Sequence, residues 1–146
     1  APLTTDISTP ILEVFEKRQG VCQDFAHLML GCLRASGIAA RYVSGYLLTH
    51  PPAGQARLVG ADASHAWLSV WCPGLDDERA GAWLDLDPTN DCLAGLDHVR
   101  VAHGRDFGDV TPLRGVIRGG GEHTLSVRVT TLPVKDETEP SAMNDS

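Results

Sequence analysis

The stretch GVCQDFAHLMLGCLRASG, residues 20–37, decides the fold of this 146-residue chain. Apolar side chains recur in it at spacings of three and four: Cys22, Ala26, Met29 and Leu33. This spacing predicts an amphipathic helix over residues 22–36, and Gly37 is suited to cap its C-terminus. Cys22 is therefore expected to open the helix and to face the domain interior. An overlapping apolar line places Cys32 in the predicted core as well.

A shorter helix is predicted before this one, and strands after it. ILEVFEKRQ, residues 11–19, is expected to be helical, with Thr9 as its N-cap and Pro10 as its first residue. Residue composition and alternation predict strands at 38–49, 64–72, 82–87, 98–104 and 122–132. PGLDDERAG, residues 73–81, is expected to form the turn between the second and third strands.

Helices followed by a run of antiparallel strands indicate an α+β fold, with the Cys22 helix packed on the sheet. The length fits one domain, which we assign to residues 1–132. The polar tail, residues 133–146, is predicted to be disordered. The chain has no initiator methionine, so we expect a fragment of a longer protein.

Charge and cysteine content exclude several classes of function. The net charge of −7 argues against nucleic acid and anionic membranes as partners, and no apolar run is long enough to cross a bilayer. The four cysteines form no CxxC pair and the six histidines are scattered, so neither a metal site nor a cofactor is expected. A reduced, cytoplasmic setting fits this pattern best.

Three residues together have the types that cysteine catalysis needs. A thiolate is favoured at a helix N-terminus and beside an imidazolium, and a third group must orient the imidazole. Cys22 opens a helix, His65 lies near the start of a strand, and Asp87 lies near the end of the next one. If those two strands pair antiparallel, His65 and Asp87 become neighbours.

The spacing leaves other acids and bases open. Asp85 shares a strand face with Asp87, so alternation cannot choose between them as the orienting acid. Asp24 in the first helical turn is favourable to the helix dipole, and it is also a candidate for shaping the cleft entrance. His27 lies five positions after Cys22, well round the helix, which makes it a poor general base.

Two aromatic residues are candidates for binding substrate. Trp67 follows His65 by two positions and shares its strand face, so it is expected either to wall the cleft or to pack in the core. Tyr46 in the first strand is expected to line the site or to pack, and packing is the favoured reading.

Three blocks give the sequence a family resemblance: GVCQDFAHLMLGCLRASGIAARYVSGYL, DASHAWLSVW and WLDLDPTN. Together, and in this order, they resemble the transglutaminase-like superfamily, in particular its bacterial branch of cysteine peptidases. HVRVAHGRDFGDVTPLRG, residues 98–115, also resembles that branch. The resemblance implies a papain-like core, here without the β-rich domain that precedes it in bacterial relatives.

The same resemblance implies a Cys-His-Asp triad, with Cys22 as nucleophile, His65 as base and Asp87 as orienting acid. It implies an enzyme that transfers an acyl group through a cysteine thioester on a peptide or protein substrate. Hydrolysis is the favoured outcome. Transfer to an amine is an alternative, and so is a non-catalytic module that keeps the fold and binds peptides. The oligomeric state is left open.

Overall fold

The computed structural model describes residues 10–50, 54, 64–77, 80–111, 115, 118–120 and 126–134. Segment 1–9, most of the loop at 50–63 and most of the tail at 133–146 lie outside the described residues, and the predictions about them stay predictions. None of the helices in the described ranges is both long and apolar enough to cross a membrane.

Two helices precede the sheet. Helix α1 comprises Ile11–Lys17 and helix α2 comprises Cys22–Ala35. The first helix is shorter than predicted, because Arg18 adopts a left-handed conformation (φ 51°) that ends it before Gly20. Pro10 is the N-cap rather than the first helical residue, and its carbonyl accepts the Glu13 N–H at 2.9 Å.

Five antiparallel strands form one sheet. They are β1 (Ala40–Leu47), β2 (Ser64–Asp77), β3 (Ala80–Asp87), β4 (Cys92–Leu93) and β5 (His98–Gly104), in the spatial order β4-β3-β2-β1-β5. A short 3₁₀ helix at Phe107–Asp109 follows β5. The α+β class and the antiparallel sheet are as predicted.

Two strand predictions were wrong in detail. β2 does not end at Cys72 but continues to Asp77, with an irregular register after Pro73, so most of the predicted turn is strand. The predicted last strand is also incorrect over its described part, since residues 126–134 contain an isolated bridge at Val129 and no ladder. Alternation alone does not supply the neighbouring strand that a ladder needs.

The core lies between α2 and one face of the sheet. Ala26 and Leu30 of α2 pack with Tyr42 of β1 and with Leu68 and Val70 of β2. Met29 and Leu33 pack against this cluster, as does Cys22, so the predicted inward face of the helix is correct. Cys32 was predicted to be in the core and is exposed, because the buried line of the helix runs through Ala26 and Leu30 instead.

Gly45 of β1 allows the opposite face of the sheet to pack closely. A Cβ placed there would lie 2.5 Å from Trp67 Cη2 and would collide with the Val99 carbonyl oxygen. We expect Gly45→Ala to lower the free energy of unfolding by about 3 kcal/mol, because the backbone contact cannot relax. Gly31→Ala is the matched control: it lies on the open surface of α2, and we expect about 1 kcal/mol of stabilisation. Urea unfolding of both variants measures this, and equal effects would contradict the account.

Candidate active site

Cys22 is the first residue of α2, directly after the N-cap Val21. The Asp24 carboxylate accepts the Val21 N–H at 2.9 Å, which anchors the chain at the point where it enters the helix. Asp24 is 4% exposed and is the acidic residue of the first helical turn, and its role in shaping the cleft entrance stays a prediction. In the first helical turn the Asp24 N–H donates to the Val21 carbonyl at 2.9 Å, whereas the Gln23 N–H donates to the Cys22 thiol.

His65, the second residue of β2, lies against Cys22. The two residues line the same small cavity of about 60 Å³, together with Gln23, Ser44 and Phe107 among others. Burial acts to raise the pKa of the Cys22 thiol. Burial is outweighed by the hydrogen bond to His65, by the positive charge of His65, and by the backbone N–H groups of Ala66 and Gln23. The pKa of Cys22 therefore lies below its ordinary value.

The other side of the His65 ring faces Asp87. The pairing of Leu68 with Leu86 sets the register of β2 and β3, and it carries the end of β3 alongside the start of β2. His65 Nε2 lies 2.6 Å from Asp87 Oδ2, as the antiparallel pairing predicted. Because Nε2 faces the carboxylate, Nδ1 is the ring nitrogen left for the Cys22 thiol. Burial acts to lower the pKa of His65, but its contacts with Cys22 and Asp87 raise that pKa above the ordinary value.

Asp87 is 1% exposed and its carboxylate is fully engaged. Oδ1 accepts the Thr89 N–H at 2.9 Å and the Asn90 N–H at 3.2 Å. Oδ2 accepts the Asn90 side-chain amide at 2.7 Å and also contacts His65 and His98. Burial would raise the pKa of Asp87, but these donors hold it at about 2.

Asp85 has different partners. Its carboxylate accepts the Trp67 Nε1–H at 3.1 Å and the Ser69 hydroxyl, and it lies 3.6 Å from Arg100 Nε. Asp85 and Asp87 were indistinguishable by strand alternation. The structure brings Asp87, not Asp85, to His65.

A family model described as the transglutaminase-like superfamily matches residues 2–88 of the chain. This range includes Cys22, His65 and Asp87. The chain belongs to the transglutaminase-like superfamily. An uncharacterized protein of Mycobacterium tuberculosis is 50% identical over 137 residues, 92% of this chain. The chain spans less than half of that relative, 42% of its length.

Two other similarities concern proteins with described activities. A protein-glutamine gamma-glutamyltransferase of Pseudomonas aeruginosa is 40% identical over 77 residues, which cover 52% of this chain and 11% of the enzyme. A crystal structure of a protein provisionally described as a cysteine protease, from Cytophaga hutchinsonii, superposes with a TM-score of 0.56 at 29% identity. That similarity covers 76% of this chain and 32% of the other, and it agrees with a papain-like α+β core.

Trp67 was expected either to wall the cleft or to pack in the core, and the structure shows it packed. It is 1% exposed and packs against Gly45 and the His98 ring, so it belongs to the packed face of the sheet. Its indole N–H donates to Asp85. Trp67 therefore packs against His98, which contacts Asp87, and it is not among the residues that line the small cavity at Cys22.

Tyr46 lines a second cavity, which has Ser44 in common with the small cavity at Cys22. This cavity has a volume of about 290 Å³, and Ser44, Tyr46, Asp109 and Val110 are among its lining residues. A role for Tyr46 in substrate binding stays a prediction.

His27 is hydrogen-bonded to the segment after β5, which contributes Phe107 to the cavity at Cys22. Its Nε2 accepts the Phe107 N–H at 3.2 Å, and its ring lies 5.0 Å from that of Tyr42. Since Phe107 lines the cavity at Cys22, His27 acts on the site through the loop after β5. This agrees with the expectation that His27 is not the general base.

His98 is a site residue that the sequence analysis did not single out. Its Nε2 lies 3.1 Å from Asp87 Oδ2, and its side chain is 7% exposed. Among the described residues, the ligand atoms of His65, Asp87 and His98 form one group within 4.8 Å that could hold a metal ion. The contacts of the His65 and His98 rings with Asp87 have the lengths of hydrogen bonds, so a metal ion is not needed to explain them. The expectation of no metal site stays a prediction.

Proposed function

We propose that this protein transfers acyl groups through a thioester on Cys22, with His65 as general acid and base and Asp87 as the orienting group. The supporting observation is the continuous contact from the Cys22 thiol at a helix N-terminus, through His65, to the buried Asp87 carboxylate. The lowered pKa of Cys22 and the raised pKa of His65 favour a thiolate–imidazolium pair.

The proposed acylation step follows from this pair. The Cys22 thiolate attacks the carbonyl carbon of an amide and forms a C–S bond, while the carbonyl oxygen takes up the negative charge. The Cys22 backbone N–H is a candidate donor to that oxygen. His65 gives its Nδ1 proton to the amide nitrogen, the C–N bond breaks, and the amine leaves a thioester behind.

Deacylation reverses the proton transfer. Neutral His65 accepts a proton from water, whose oxygen attacks the thioester carbon. The C–S bond breaks, the acid is released, and the thiolate and imidazolium return. Asp87 keeps the imidazole oriented through both steps and stabilises its positive charge.

Hydrolysis is the proposed outcome, on a peptide or protein substrate whose chain extends into the cavity beside Ser44 and Tyr46. It is supported by the similarity to a protein provisionally described as a cysteine protease, which covers 76% of this chain. Amine transfer is the second candidate, because of the similarity to a protein-glutamine gamma-glutamyltransferase. In that case a primary amine would replace water at the thioester.

A peptide assay tests the proposal and separates the two outcomes. The protein is incubated with a pool of glutamine-containing peptides, with and without a fluorescent primary amine, and the products are read by mass spectrometry. Cleaved peptides or glutamate products support hydrolysis, and amine conjugates support transfer. We expect Cys22→Ala to abolish either product. Turnover that persists in Cys22→Ala, or a wild type that binds peptides without converting them, would contradict the proposal.

A further inference from the structure

His98 is fixed by a turn as well as by Asp87. Its backbone N–H donates to the Gly95 carbonyl at 3.0 Å, and the Gly95 N–H donates to His98 Nδ1 at 3.2 Å. The ring also packs edge-on against Trp67, with ring centroids 5.2 Å apart and an interplanar angle of 80°. The imidazole therefore has little freedom to turn away from the carboxylate.

These two contacts assign the tautomer of His98. A backbone N–H can only donate, so Nδ1 must offer a lone pair to Gly95 and carries no proton. The proton of the neutral ring is then on Nε2, the atom 3.1 Å from Asp87 Oδ2. Nε2–H donates to the carboxylate, and the backbone at Gly95 is what selects this arrangement.

We propose that His98 is a positioning residue for the acyl-transfer site, a fixed neutral donor that keeps Asp87 ionised and aimed at His65. This rests on the proposed function, because it assigns His98 a part in the same proton transfers. A donor on Asp87 Oδ2 makes that oxygen a weaker base. The Nε2 proton of His65 then stays on the imidazole rather than moving to Asp87, so the ring remains an imidazolium that can give its Nδ1 proton to the leaving amine.

His65 and His98 both contact Asp87 Oδ2, and we assign them different roles. His65 faces the thiol and changes its protonation during the reaction, whereas His98 faces a backbone N–H and does not. Other charged groups nearby are already paired with each other: Asp85 of β3 lies 3.6 Å from Arg100 of β5. Asp85 and Arg100 line a cavity of about 250 Å³ together with His98. Neither side chain contacts Asp87 Oδ2.

The first test compares three variants by the rate of Cys22 alkylation with iodoacetamide from pH 4 to pH 10. We expect His98→Leu to lower the rate at pH 6 about tenfold, because an Asp87 carboxylate that is no longer held toward His65 stabilises the imidazolium beside Cys22 less. His98→Gln, whose amide can reach Asp87, should restore most of the rate. His50→Leu is the matched control, because it removes an exposed histidine that contacts Asp97 at 3.0 Å, and it should behave as wild type.

A wild-type pH profile in His98→Leu would overturn the inference and leave the proposed function standing. A wild type whose Cys22 is unreactive at pH 6 would overturn the proposed function, and this inference with it. If His98→Leu does not fold, His98→Asn replaces it: its amide is too short to reach Asp87, so it should lose the rate that His98→Gln keeps.

The second test reads the tautomer directly. Long-range ¹H–¹⁵N correlation spectra of the wild type at pH 7 distinguish the two nitrogens of each imidazole. We expect the His98 signals of a neutral ring protonated on Nε2. A ring protonated on Nδ1, or on both nitrogens, would overturn the inference whatever the alkylation rates are.

Discussion

His65→Ala should lower the rate of Cys22 alkylation at pH 6 by about a hundredfold. An ordinary thiol, with a pKa of about 8.5, is less than about 1% thiolate at that pH, and the thiolate is the form that reacts. His65 provides the hydrogen bond and the charge that lower the pKa of Cys22, and burial alone would raise it. Removing the imidazole leaves a half-buried thiol with no cation beside it.

Intact-mass spectrometry with iodoacetamide measures this, and peptide mapping separates the four cysteines. Cys32 and Cys92 are exposed and Cys72 is half-buried, so they serve as internal references for an unactivated thiol. His50→Ala is the control, because it removes an exposed histidine far from the thiol in the sequence. Equal labelling of all four cysteines in the wild type would contradict an activated Cys22.

Asp87→Ala should lower the free energy of unfolding by about 3 kcal/mol or more. The change leaves the side-chain donors of His65, His98 and Asn90 without their acceptor. The two histidine side chains are 9% and 7% exposed, and unpaired buried polar groups are costly. Asp97→Ala is the matched control: its carboxylate is 45% exposed and contacts the exposed His50, so we expect a loss below about 1 kcal/mol. Guanidinium unfolding of both variants tests this, and similar losses would contradict the network around Asp87.

The same carboxylate predicts how stability depends on pH. The pKa of Asp87 is about 2 in the folded protein against an ordinary value of 3.8, so the unfolded chain binds the proton more readily. The resulting stabilisation, about 2 kcal/mol, is complete above pH 4 and is lost as the pH falls from 4 to 2. Asp87→Asn should remove this loss while Asp97→Asn retains it. Parallel acid-unfolding curves for wild type and Asp87→Asn would refute the assignment.

Local patterns were enough to predict the geometry around Cys22. The spacing of Cys22, Ala26, Met29 and Leu33 required an inward-facing helix, and the structure has one. Antiparallel pairing of two strands that are consecutive in the sequence required His65 and Asp87 to be neighbours. Each of these predictions depends on residues close in sequence or on one hairpin, where periodicity and register suffice.

Individual side-chain contacts, and contacts between strands distant in the sequence, could not be predicted in the same way. Asp85 and Asp87 share a strand face in one hairpin, and only their side-chain partners set them apart: Trp67 and Ser69 for Asp85, His65 for Asp87. His98 begins β5, at the opposite edge of the sheet from β4, and its contact with Asp87 of β3 depends on this crossing of the chain, which no local pattern encodes. The burial of Trp67 depends on the same packing, since it lies between Gly45 and the His98 ring.

The pH dependence of Cys22 alkylation in the wild type, from pH 4 to pH 10, tests the central claim most directly. If Cys22, His65 and Asp87 act as one unit, the rate will already be high at pH 6, well below the pKa of an ordinary thiol. The profile will then show a second inflection as His65 loses its proton. A single rise centred near pH 8.5, as for an isolated cysteine, would contradict an assembled acyl-transfer site.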